Sequence, residues 1–162
     1  LIGTTAEFEA VMAGLMRDNG VRAYYFDMFQ MARENLEESL RIRSNDPYSH
    51  YYYGKVLKLT ARSASEKSRA LSEFVTAIQL DKRRVIPEPH LFRALSMIEN
   101  KDPGQVKEVT DSLKQYVAIY QQEHGGALPP NMDVIYDYLQ EAGEMGWMAA
   151  PAVHVKSATP GP

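Results

Sequence analysis

The chain of 162 residues contains no cysteine, which excludes disulfides, thiol catalysis and cysteine-ligated metal sites. No apolar run approaches the roughly 20 residues that a membrane-crossing helix needs, and no secretory leader pattern opens the sequence. The first residue is Leu1 rather than Met, so the expectation is a segment cut from a longer protein. Only four histidines are present: His50, His90, His124 and His154. None forms a His-Glu-x-x-His motif, and no two stand at the helical i, i+4 spacing that suits a shared metal. Gly-x-Ser-x-Gly and glycine-rich phosphate loops are also missing. No carboxylate pair stands isolated in an apolar setting where it would work as acid and base. The expectation is therefore a non-enzyme with no catalytic residue, metal or cofactor. A net charge of −3 gives no general attraction to nucleic acid or an anionic membrane.

What is present fits one soluble domain, with 44% apolar and 24% charged residues. The charge is uneven. Residues 41–93 carry a net +6, between segments of −4 and −5. This is either a set of solvated helix faces or a basic middle that attracts an acidic partner or the protein's own acidic end.

Helical periodicity runs almost throughout, and no convincing strand is seen. Thr5 caps a first helix with the stripe Phe8, Val11, Met12, Leu15 and Met16, which Asn19-Gly20 stops. A second helix spans about Val21 to Arg43, with Tyr25, Met28, Ala32, Leu36, Ser39 and Leu40 on one face. Helix three runs from Pro47 to about Ala61, and helix four follows a loop near 62–66 and reaches about Arg84. Pro87 and Pro89 open helix five, which ends near Glu99, and residues 100–104 form a turn. Helix six begins near Val106 and stops at Gly125-Gly126. A stiff Leu128-Pro129-Pro130 connector leads to a last helix at about 132–142. Residues 146–162, rich in proline, are expected to be an extended or disordered tail.

Two segments are self-similar at an offset of 40. Pro47, His50, Gly54 and Leu57 align with Pro87, His90, Ala94 and Met97. The first resembles helix one of a tetratricopeptide repeat (TPR), an aromatic-x2-Leu-Gly-x2-Tyr pattern, with His50, Tyr53, Gly54 and Leu57 in those slots. The Ala-x3-Phe-x2-Ala of the second helix is met by Ala70, Phe74 and Ala77, and more loosely by Ala32, Leu36 and Ser39. Val109, Leu113 and Tyr116 serve in the third unit. Small residues let antiparallel helices approach closely, and Phe74 fills the space above the contact. Departures are some four extra residues between the helices of the middle unit, His50 for the usual aromatic, Lys82 for the usual Pro and Arg93 for a buried Leu. The resemblance implies an all-α fold in which antiparallel helix pairs, about 5–43, 47–84 and 87–124, stack as a short right-handed superhelix. A capping helix completes a domain of residues 1–145, covering Leu91, Leu95 and Ile98 through Val134, Ile135 and Tyr138.

It further implies a protein-protein interaction module. In that family the first helix of each pair lines a concave groove, which puts Tyr48, Tyr51, Lys55, Lys58 and Leu59 on the binding surface. Tyrosines offer rigid contact area and lysines can meet carboxylates, so the expected partner is a protein or an acidic peptide. The Tyr-rich faces also suit a homodimer. Asp81-Lys82-Arg83-Arg84 reads as cations complementing a helix C-terminus, in preference to an anion site. The segment also resembles helical-repeat regions that follow zinc peptidase domains in bacterial envelope proteins. That resemblance implies an accessory role, with the chemistry in residues outside this sequence and a periplasmic or envelope location favoured over the cytoplasm.

Overall fold

The computed structural model describes residues 4–100 and 105–142; Asn100 of the expected 100–104 turn ends a helix, and the rest of that turn and the expected tail lie outside the described residues. Among the described residues there are seven α-helices and no strands. They are α1 (Thr5–Tyr25), α2 (Phe29–Ile42), α3 (Pro47–Thr60), α4 (Ala64–Leu80), α5 (Glu88–Asn100), α6 (Val106–Glu123) and α7 (Met132–Glu141). Successive helices pack as pairs: α1 on α2, α3 on α4 and α5 on α6.

The close approach within the pairs comes from small residues. A Cβ on Gly54 of α3 would lie 2.7 Å from the Phe74 ring of α4, and one on Gly20 of α1 would lie 2.6 Å from Leu36 Cγ of α2. Gly20 is thus not the helix stop expected from Asn19-Gly20. α1 runs on past it because Gly20 is buried at the α1–α2 contact. The chain turns instead at Phe26–Met28, where Asp27 takes a left-handed φ of 58°. Thr4, not Thr5, caps α1, in a reciprocal capping box with Glu7.

Of the apolar stripe expected on α1, three residues face outward and two, Met12 and Met16, are half-buried. Phe8 and Val11 are each 61% exposed and Leu15 is 51% exposed, while Ala13, Gly20 and Ala23 are buried. α1 is the outer helix of the stack, so the outward side of that stripe has no neighbour to pack on among the described residues. The small residues between stripe positions make the contact with α2.

The junction between the first and middle pairs is polar, and its buried side chains are hydrogen-bonded. Asp46 caps α3 by accepting from the Tyr48 amide at 3.0 Å, and it also accepts from Arg17 of α1 at 3.0 Å. Buried Ser39 donates to the Ala13 carbonyl at 2.8 Å and meets Ser49 at 3.1 Å. His50 bridges two elements: Nε2 donates to the Ser44 carbonyl at 2.7 Å and Nδ1 to Glu73 of α4 at 2.6 Å. Two acceptors facing both ring nitrogens require the imidazolium. Burial pulls the His50 pKa down, but the Glu73 and Ser44 hydrogen bonds outweigh it, and the net shift is upward.

α4 ends at Leu80, earlier than the expected Arg84. Asp81 closes the turn by accepting from the Val85 and Ile86 amides, so the basic run at 82–84 lies beyond the helix rather than in its last turn. The last helix covers α5 as expected, except that Leu95 stays exposed and Val134 does not take part. Met132, Ile135 and Leu139 join Ala94, Met97, Leu113 and Tyr116 in one buried cluster, with Leu91, Ile98 and Tyr138 at its edge. Val134 points to solvent instead, because burial at 132, 135 and 139 leaves position 134 on the opposite face.

Candidate functional site

The first helices of the three pairs, α1, α3 and α5, lie side by side. Their shared face holds an aromatic cluster around one lysine. Lys55 of α3 places its Nζ 4.7 Å from the ring centre of Tyr24 on α1 and 4.9 Å from that of Phe92 on α5. Tyr51 and Tyr52 of its own helix lie at 5.2 and 5.5 Å. All four are within cation–π range. Among the described residues Lys55 has no ion-pair partner. Burial lowers its pKa, and the nearby charge of Glu88 opposes the shift. The rings hold one another edge-on, Tyr51 with Tyr52 at 4.9 Å and Tyr51 with Phe92 at 5.8 Å. The Tyr25 and Tyr52 hydroxyls meet at 3.1 Å.

The five residues expected on the binding surface separate into three situations. Tyr51 is only 5% exposed, packed with Phe74 and Ala77. Burial drives its hydroxyl pKa well above the ordinary tyrosine value. It supports Lys55 from below and offers little surface of its own. Lys58 is bound to Glu99 of α5, which joins two helices and uses its charge. Tyr48 and Leu59 are exposed, Leu59 at 58%, near opposite ends of α3 and about 16 Å apart along its axis. Lys55 lies between them.

Tyr24, Tyr25, Tyr52 and Phe92 complete the cluster and were not expected from the stripe on α3 alone. The offset of 40 carries a signal for one of them, since Phe92 occupies the position of Tyr52 in the next unit. The run Tyr24-Tyr25-Phe26 carries another. Exposed Tyr25, Phe26 and Leu95 extend the apolar surface onto α1 and α5. Among the described residues no three His, Asp or Glu side chains converge as a metal site. No described helix is long and apolar enough to cross a membrane.

One solved structure, described as the Arabidopsis OM64 TPR domain, superposes with a TM-score of 0.65, covering 82% of this chain and 98% of that one at 14% identity. The fold is tetratricopeptide-like. No protein-family model matches the sequence, and none of the curated proteins does. At this identity the likeness carries the architecture alone. The TPR-like chain has its first helices lined up along one face, with the Lys55 cluster at the centre.

Proposed function

We propose that this chain is a protein-interaction module that holds an extended, acidic segment of a partner protein along the face formed by α1, α3 and α5. The observation that carries this reading is Lys55, a half-buried ammonium ringed by four aromatic side chains and without an ion-pair partner among the described residues. A partner carboxylate supplies the missing counter-charge in a setting where water screens it poorly. Tyr48, Tyr25, Leu59 and Leu95 supply apolar contact on either side. The net +6 of the surrounding segment favours approach of an acidic chain. Homodimerisation through the same tyrosines is a competing use of this surface. An accessory role beside a zinc peptidase gains no support from any residue of the fold.

The test is binding to an arrayed library of acidic and neutral peptides, followed by anisotropy titrations with Lys55→Glu and Leu59→Glu. Both variants are first checked for wild-type circular dichroism. The expected result is selective capture of acidic peptides, weakened at least tenfold in Lys55→Glu. Equal binding by the folded variants moves the site to another face. Dimer formation that competes with peptide, seen by sedimentation, assigns the surface to self-association.

A further inference from the structure

A cleft of about 290 Å³, sharing no residue with the Lys55 cluster, opens between α4, α5 and α6. Its floor is apolar, formed by Val75 and Ile78. Its rim is polar, with His90 and Arg93 from α5 and Ser112 and Gln115 from α6. One guanidinium, that of Arg93, lines it, and a second, that of Arg84, reaches Gln115 on its rim; each meets only a neutral side-chain acceptor. Arg93 Nη1 donates to the Ser112 hydroxyl at 2.5 Å, and Arg84, from the turn after α4, donates to the Gln115 side-chain carbonyl. Among the described residues neither arginine has an ion-pair partner. Of the nearby carboxylates, Asp81 is buried and engaged by the Val85 and Ile86 amides. Asp111 on the rim is held by Lys107 at 2.6 Å.

We propose that this cleft is a site for a phosphate monoester, with Arg93 and Arg84 exchanging their neutral partners for phosphate oxygens and the carrier resting on Val75 and Ile78. A guanidinium presents paired N–H donors that match phosphate oxygens, and such charge-assisted bonds are stronger than those to a hydroxyl or an amide. The cleft is at the small end of ligand-binding cavities, which suits a compact ester or a single phosphorylated side chain. Buried His90 is the site's internal reporter. Burial, together with the charges of Arg84 and Arg93, holds its pKa down to about 4, against a weaker opposing effect of Asp81. An anion between the two arginines offsets their repulsion of the imidazolium and raises that pKa by about one unit.

The experiment is a side-chain NMR titration of the intact chain at pH 6.5 with inorganic phosphate, O-phosphoserine and a blocked phosphoserine tripeptide. Sodium chloride at matched ionic strength is the control. The expected result is saturable shifts of the Arg93 Nε–H and the Gln115 side-chain amide, with the Lys55 region unmoved. Binding weakens at least tenfold in Arg93→Gln, and Ser112→Ala provides a second variant should the first fail to fold. The His90 midpoint moves upward when phosphate is present. A stronger response to the tripeptide than to the free esters assigns a phosphorylated protein as the source, and the reverse assigns a small metabolite. Shifts that chloride reproduces, that never saturate, or that persist unchanged in folded Arg93→Gln overturn the proposal. That failure leaves the acidic-segment reading of the Lys55 face untouched.

Discussion

The first and middle helix pairs make the same internal contact with different outer surroundings. In both, a glycine on the first helix meets a large side chain on the second: Gly20 with Leu36, and Gly54 with Phe74. In the middle pair the neighbours on both sides cover what lies beyond that contact, so Tyr51, Val56 and Leu57 are buried. In the first pair the outer side has no such cover among the described residues, and Phe8, Val11 and Leu15 stand exposed. A helical apolar period therefore names a face that can be covered. The stack decides whether it is.

The sharpest way to test that difference is to empty the middle contact. Phe74→Ala is expected to lose about 3–5 kcal/mol, since the ring is fully buried between Gly54 and the Tyr51–Phe92 cluster. Urea unfolding measures it, and a loss below about 1 kcal/mol, the centre of the range for point mutants in general, would remove Phe74 from the centre of the stack. Overfilling the two glycines comes next. Gly54→Ala and Gly20→Ala are each expected to cost about 1–3 kcal/mol, because the added methyl meets a side chain closer than 3 Å. If Gly20→Ala is stabilising instead, as for a glycine in an exposed helix interior, the equivalence of the two pairs is wrong.

A smaller effect distinguishes the junction before α3 by its charge. With its pKa raised by Glu73 and Ser44, His50 contributes stability that is fully present below its unfolded pKa of about 6.5. That contribution is lost as pH rises through the elevated folded value. Buried His90, whose pKa is held down, changes stability in the opposite sense over the same range, so the readout is a comparison. Between pH 6 and pH 9 the wild-type unfolding free energy should fall relative to that of Glu73→Gln, and equal pH dependence in the two would remove the His50–Glu73 contribution. The smallest effect belongs to the outer face: Phe8→Ser and Leu15→Ser should each change stability by less than about 0.5 kcal/mol. A melting-temperature series shows whether they do, and a large loss would mean that another surface covers α1 in solution.

The legible parts of this fold were those with short-range signatures. Gly54, Ala70, Phe74 and Ala77 carry their roles in their spacing, and the structure places Phe74 over Gly54 as that spacing implies. Pro47 marks the start of α3 for the same reason, since proline in a helix's first turn is a local signal. Gly20 was misread because Asn-Gly is also a local stop signal, and only the presence of Leu36 across the contact distinguishes the two meanings. The candidate site was half legible. Lys55 and its exposed neighbours follow from one helix stripe, but Tyr24 and Phe92 belong to other helices and meet Lys55 only through the order of stacking. Burial of Tyr51 has the same origin, as its ring is closed in by Phe74 and Phe92.

By itself the sequence determined the all-helical class, most helix ends and the small-to-large pairing inside the middle helix pair, because propensity, capping and steric size act over a few residues. The tertiary structure alone decided which apolar stripe was covered, which lysine was ringed by aromatic side chains and which arginine lined a cleft. Those outcomes depend on groups many residues apart being brought within a few ångströms, and burial and electrostatic pairing follow that proximity.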